Sequence, residues 1–277
     1  MRRKERLDYL KRIMEKDLMI FDGDGTLYID TTTTPSAGAF LDYLVKEGKR
    51  FVIMTNNSSY SKGHHMERIG KVLGRKLKAK ELYVSTEAAA NYLRNNGVTR
   101  AFILGTPECV EDFHIYGVDS ERKDPDVVVV AFDKTLTYAK VRKASNLISD
   151  GKPYIVTNPD LVCPTRGGHI PDAGSILAMI RSATNAEPLA VTGKPNTIFL
   201  DYVLGDLGVK RSECVIFGDR IYTDIAMAND AGVLSVLMLT GESRMENRND
   251  RYRPDLIVPS FDELGRATGR EAWQPHA

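Results

Sequence analysis

Residues 18–26 read Leu18-Met19-Ile20-Phe21-Asp22-Gly23-Asp24-Gly25-Thr26. Four apolar residues bounded by a turn signal suit a fully buried strand. Two acids spaced two apart, followed by glycine and threonine, do nothing for packing. At the C-terminal end of a parallel strand, where open α/β sheets take their ligands, they would hold two carboxylates at one mouth. The expectation is an α/β fold with chemistry at the end of its first strand.

Reading outward, similar runs recur. Phe51–Asn57, Leu82–Thr86, Ala101–Gly105, Asp126–Asp133, Pro153–Thr157, Cys214–Asp219, Leu234–Thr240 and Asp255–Pro259 are apolar stretches of strand length. Helical spacing lies between them at 36–47, 61–73, 138–149, 173–184, 196–207 and about 222–230. Alternation of this kind predicts βαβ units and a doubly wound, mainly parallel sheet. Asn95-Asn96-Gly97 and Asn185-Ala186-Glu187-Pro188 read as hinges. They divide the chain into a core of residues 1–98 and 190–277 and a smaller inserted α/β domain at 99–189. Residues 1–16 predict a charged helix packed on the domain edge through Leu7, Leu10, Ile13 and Met14.

Bulk properties exclude several classes. With 277 residues and 42% hydrophobic content there is enough material for one or two ordinary cores. A net charge of +1 supplies no field to recruit nucleic acid or an anionic membrane. No apolar run approaches the ~20 residues of a membrane helix, and the basic N-terminus lacks the apolar stretch of a secretory signal. Cys109, Cys163 and Cys214 are too scattered for a disulfide framework or a structural zinc site. A cytoplasmic address is the default expectation.

Four short signals carry the chemistry, and three of them end apolar strands: Asp22-Gly23-Asp24-Gly25-Thr26, Thr55-Asn56-Asn57, Gly193-Lys194-Pro195, and Gly218-Asp219 with Thr223-Asp224. A parallel sheet brings such strand ends together however far apart they lie in sequence. The pooled groups are four carboxylates, an ammonium, a hydroxyl and several backbone N–H groups. Acids crowded in this way repel unless a cation sits among them, and oxygen donors without His or Cys suit Mg²⁺. Lys194, the Thr55 hydroxyl and N–H groups at Asn56 and Asn57 could take phosphate oxygens. The inventory fits a phosphate dianion.

The order of these signals resembles the haloacid dehalogenase-like (HAD) phosphohydrolase superfamily. The resemblance implies that Asp22 attacks phosphorus to form an aspartyl phosphate and that Asp24 is the general acid and base. It implies that Thr55 binds the phosphoryl group and Lys194 shields charge. Asp219 and its supporting acid Asp224 would hold Mg²⁺ together with Asp22 and Asp24, the latter through its carbonyl. The insertion between the second and third signals, with Thr157-Asn158-Pro159-Asp160 and Pro171-Asp172-Ala173-Gly174-Ser175, is similar to the C2-type cap of the NagD-like or p-nitrophenylphosphatase-like branch. Cap-loop residues Arg166 and His169 become candidate substrate contacts. The expected activity is Mg²⁺-dependent hydrolysis of a small phosphorylated metabolite. The alternatives are a phosphotransferase or mutase using the same aspartyl phosphate, and an idle regulator that binds a phospho-ligand. The resemblance also implies that such caps contribute to homodimers. The adjacent His64 and His65 are expected to be solvated, and Tyr138 to lie in the core.

Overall fold

The computed structural model describes residues 3–121, 123–165, 167–243 and 251–267. In chain order the strands are β1 Leu18–Asp22, β2 Tyr28–Ile29, β3 Thr32–Thr33, β4 Arg50–Thr55, β5 Leu82–Val84, β6 Arg100–Leu104, β7 Asp119–Ser120 and β8 Val127–Val130. They continue with β9 Tyr154–Val156, β10 Val162–Thr165, β11 Gly168–Pro171, β12 Ala190–Val191, β13 Cys214–Gly218, β14 Leu234–Met238 and β15 Leu256–Val258. The helices are α1 Arg3–Met14, α2 Ala37–Lys46, α3 Lys62–Val72, α4 Ser85–Asn95, α5 Pro107–Ile115, α6 Tyr138–Ser149, α7 Ala173–Thr184, α8 Thr197–Leu207, α9 Ala226–Ala231 and α10 Phe261–Ala267.

These elements pack as two units. One draws its described residues from Met1–Thr55, Met66–Leu82 and Leu204–Ala277, the other from Asn56–His65 and Tyr83–Val203. The second unit therefore includes 56–65, 83–98 and 190–203 along with the 99–189 insertion. The reason is local: side chains of Ser58, Thr106 and Asp112 tie the 56–62 segment to this unit's strand ends and helices.

The first unit is built on a parallel sheet of order β15-β14-β13-β1-β4-β5. Strands β4 and β5 lie to one side of β1, and β13 to β15 to the other, so the winding reverses between β1 and β13. Residues of β1 from Leu18 to Phe21 are buried, as are all five of β13. Strands buried on both faces need helices on both sides. Phe21 and Phe217 stack at 4.7 Å between ring centroids, and Phe40 of α2 and Phe261 of α10 join them. Helix α1 buries Leu10 and Ile13. Its Arg6 pairs with Glu263 and donates to the Ile257 carbonyl at 2.9 Å.

The second unit has a parallel sheet of order β12-β9-β8-β6-β7. Its side chains alternate with the period of two that strand geometry dictates. Phe102, Leu104, Val128, Val130, Tyr154 and Val156 face α6 and α7. Ala101, Ile103, Val127, Val129 and Ile155 face α4 and α5. Strands β10 and β11 form a separate antiparallel hairpin.

The observed elements depart from the sequence reading in a few places. Ser85 and Thr86 open α4 instead of extending β5, because the Glu87 side chain turns back and accepts the Val84 N–H at 3.0 Å. The segment expected to be helical at 222–230 begins as a wide π-type turn, Ile221–Ile225, before α9. Helix α5 and the β10–β11 hairpin were not anticipated. Tyr138, at the first position of α6, is 82% exposed and so lies outside the core.

Candidate active site

Register explains how distant acids meet. In the first unit β1 pairs with β13 so that Phe21 lies opposite Phe217, and with β4 so that Asp22 lies opposite Met54. Thr55 ends β4 one residue past Met54, and Asp219 follows directly after Gly218, the last residue of β13. Asp22 and Asp219 thus flank the point where the winding reverses, where open α/β sheets bind ligands.

Carboxylate oxygens of Asp22, Asp219 and Asp224 lie within 4.8 Å of one another, a set able to hold a divalent cation. Asp219 and Asp224 are 2% and 1% exposed. Glycines make the room. A Cβ on Gly25, whose φ is +89°, would sit 2.3 Å from an Asp219 carboxylate oxygen, and one on Gly218 would sit 2.1 Å from Asp224 Cβ. Glu242 N–H donates to Asp219 Oδ2 at 2.7 Å, and the Thr223 hydroxyl to Asp224 Oδ2 at 3.1 Å.

Asp24 contributes no carboxylate to this cluster. Its Oδ2 instead lies 3.7 Å from the Arg68 guanidinium and accepts from the Tyr28 hydroxyl at 3.4 Å. Desolvation by the surrounding protein raises the Asp24 pKa above the usual carboxylate range, and Arg68 pulls it the other way. Almost half of the side chain stays open to water, which limits the shift. Arg68 and Tyr28 escaped the sequence reading. Tyr28 follows Asp24 by four residues, close enough to have been considered. Arg68 sits mid-helix, with no spacing that marks it.

The remaining predicted residues divide between the units. Thr55 is 5% exposed at the end of β4. In the second unit Lys194 is 3% exposed, and its peptide is held by the Asn56 side chain. The Asn57 side chain turns onto its own loop, accepting from Ser59 N–H and hydroxyl at 3.0 and 2.7 Å. His169 is exposed on β11. Arg166 lies outside the described residues. The two adjacent histidines differ: His64 stacks on Tyr60, with ring centroids 4.1 Å apart, whereas His65 is fully buried with Nε2 3.0 Å from the Asn57 carbonyl oxygen. The expectation that both are solvated fails for His65, which caps its own loop. Burial also pushes the Cys214 thiol up to about 11, leaving it inert.

Comparison with known proteins bears on this arrangement. A haloacid dehalogenase-like hydrolase family model matches residues 19–119, and a second HAD-hydrolase-like model matches 191–264. The chain is 31% identical to a dihydroxyacetone phosphatase of Corynebacterium glutamicum (strain R) over 245 residues, 88% of each chain. It is 29% identical to the ribonucleotide monophosphatase NagD of Escherichia coli (strain K12), covering 89% of this chain and 97% of that one. The crystal structure of a 4-nitrophenylphosphatase from Thermotoga maritima superposes with a TM-score of 0.87 at 38% identity, over 93% of this chain and 98% of that one. The chain belongs to the haloacid dehalogenase-like hydrolases. Within them it falls in the NagD-like branch, a Rossmann-type core with an inserted cap, and its class is that of a phosphoric monoester hydrolase.

Proposed function

We propose that this protein hydrolyses a small phosphorylated metabolite, with Mg²⁺ bound, through an aspartyl phosphate on Asp22. The observation that carries the reading is the meeting of the Asp22, Asp219 and Asp224 carboxylates at the reversal point of the first sheet. Three acids this close repel one another unless a cation shares them. All the donors are oxygens, and Gly25 and Gly218 leave the room that two of the acids occupy, so the donor set fits Mg²⁺. Bound there by Asp22, Asp219 and Asp224, with the Asp24 carbonyl, the ion would neutralise charge between the anionic nucleophile and the phosphate.

The protein groups then divide the work. An Asp22 carboxylate oxygen attacks phosphorus and the ester P–O bond breaks. Asp24 gives its proton to the departing oxygen. The Asp24 carboxylate next takes a proton from a water that attacks phosphorus, and the P–O bond to Asp22 breaks. Phosphate leaves, with Asp22 again ionised and Asp24 again protonated. Splitting the reaction in two matters because unaided phosphate monoester hydrolysis is so slow that a catalyst must supply on the order of 20 kcal/mol or more. Lys194 and the Thr55 hydroxyl serve the phosphoryl oxygens. Asp24 must carry its proton when the leaving oxygen departs.

Substrate size follows the relatives, whose names specify dihydroxyacetone phosphate and ribonucleotide monophosphates. Cap residues, with His169 and Arg166 as candidates, would choose among such esters. The test is phosphate release from p-nitrophenyl phosphate, then from a panel of phosphorylated metabolites, with Mg²⁺ and with EDTA. Mg²⁺-dependent release without an added acceptor supports hydrolysis. Transfer only to a second hydroxyl would replace it with a phosphotransferase. Tight binding of a phospho-ligand without turnover would replace it with a regulator.

A further inference from the structure

We infer that Asn56 is a positioning residue for Lys194, its carboxamide clamping the Lys194 peptide instead of meeting the substrate. The inference rests on the proposed role of Lys194 toward phosphate and assigns the Asn56 side chain to the protein. Lys194 N–H donates to Asn56 Oδ1 at 2.9 Å, and Asn56 Nδ2 donates back to the Lys194 carbonyl at 2.9 Å. The same Nδ2 donates to Asp160 Oδ2 at 2.9 Å. Its two hydrogens therefore both go to protein acceptors, and none remains for a phosphate oxygen.

The orientation of the amide is forced. Oδ1 faces an N–H donor while Nδ2 faces two oxygens, so exchanging them would set oxygen against oxygen at two contacts. Asp160 is itself braced, accepting from Asn158 Nδ2 at 3.2 Å, and Asn158 Nδ2 also donates to Asp172 Oδ1 at 3.2 Å. Gly193 completes the clamp by close approach. A Cβ there would lie 2.7 Å from Asn56 Oδ1 and 2.3 Å from the Thr157 carbonyl oxygen. Lys194 is nearly buried, and a buried ammonium that must meet a phosphate needs its backbone fixed, since a flexible four-carbon stem alone does not aim it.

A double-mutant cycle tests this with p-nitrophenyl phosphate and Mg²⁺. Asn56→Ala should lower kcat on the order of 10²-fold with KM changed less than about threefold, and Lys194→Ala should lower it further. In the Lys194→Ala background, Asn56→Ala should then cost less than about threefold, because its target is gone. A loss of tenfold or more in that background would mean Asn56 acts on its own and would overturn the clamp. Asp160→Ala leaves both Asn56–Lys194 bonds, so it should show a milder kcat loss with the same non-additivity. It keeps the test alive if Asn56→Ala does not fold. Hydrogen exchange at the Lys194 amide gives a readout free of catalysis: Asn56→Ala should speed it about tenfold or more. Unchanged exchange sinks the clamp whatever the kinetics. Full activity in Lys194→Ala, by contrast, would sink the proposed role of Lys194, and with it the catalytic meaning of the clamp.

Discussion

Two parallel sheets in this molecule share a plan and differ at their mouths. Each reverses its winding once, the first between β1 and β13, the second between β6 and β8. At the first reversal stand Asp22 and Asp219, with Asp224 folded in beside them. At the second, the chain's own segment lies across the strand ends. Ser58 Oγ accepts the Phe132 N–H at 2.9 Å beyond β8, and the Thr106 hydroxyl beyond β6 donates to the Ser59 carbonyl at 3.0 Å. Ser58 Oγ also lies 2.9 Å from Thr157 Oγ1 beyond β9. The rule that ligands bind at such crevices describes where backbone geometry leaves room. What enters the room depends on the residues after each strand. Acids and glycines line one mouth, which we propose takes a cation and a phosphate, and neutral hydroxyls close the other onto the protein itself.

If the comparison is right, the largest effect belongs to the first mouth. Asp22→Asn keeps the shape but removes the attacking oxygen's charge, so steady-state hydrolysis of p-nitrophenyl phosphate should fall by about 10⁴-fold or more. Retained turnover would break the proposed mechanism at its first step. Asp224→Asn touches the same cluster less directly. Mg²⁺ affinity, measured by titration calorimetry, should drop on the order of 10- to 100-fold. Unaltered affinity would separate Asp224 from the cation.

How much of this was legible beforehand depends on where burial and chemistry coincide. Runs such as Leu18–Phe21 and Phe51–Met54 are apolar on both faces, which a sheet covered on both sides requires, and they were plain to read. Helices α6 and α7 carry a clean 3.6-residue stripe, with Ile176, Leu177 and Ile180 inside the second core. Helix α5 was missed because its buried set, Cys109, Asp112 and Phe113, includes an acid. The available signal was Thr106 before Pro107, an N-cap followed by proline in the first turn. Asp22 and Asp219 were readable because each closes an apolar strand, and Asp224 was readable only as part of the short signal that begins at Gly218. Arg68 beside Asp24, and the spent Asn56 side chain, depend on which groups face each other across distant segments, which no spacing within one element reveals.

Behind the second mouth lies a buried acid. Asp112 is 2% exposed on α5, accepting the Lys62 N–H at 2.8 Å and the Thr86 hydroxyl at 3.4 Å. Burial pushes its pKa up to about 6, helped by the Glu87 carboxylate, while the Lys62 contacts oppose the shift. An unfolded chain would release that proton near pH ~3.9. Between the two values the folded state holds more protons, so stability should fall as pH rises through the window, and the cost is complete above about 6. A shift of about two units is worth roughly 2–3 kcal/mol. Urea denaturation at several pH values should therefore show a downward slope between pH ~4 and ~6 that is flattened in Asp112→Asn. A slope identical in both proteins would place the titration elsewhere.

The smallest effect tests whether the second mouth is structural alone. Thr106 is 4% exposed and does two jobs, capping α5 by accepting the Cys109 N–H at 3.1 Å and fastening Ser59. Thr106→Val keeps the volume and removes both bonds, leaving a buried N–H and a buried carbonyl unsatisfied. The expected loss is about 1–3 kcal/mol of unfolding free energy. Thr106→Ser keeps the hydroxyl and should recover most of it, so a methyl-packing effect and a hydrogen-bond effect separate. Neither change should move kcat more than about threefold, since Thr106 lies outside the proposed reaction. A loss of activity that exceeds the loss of stability would mean that closing the second mouth matters to the chemistry of the first, and the contrast between a working mouth and a sealed one would no longer hold.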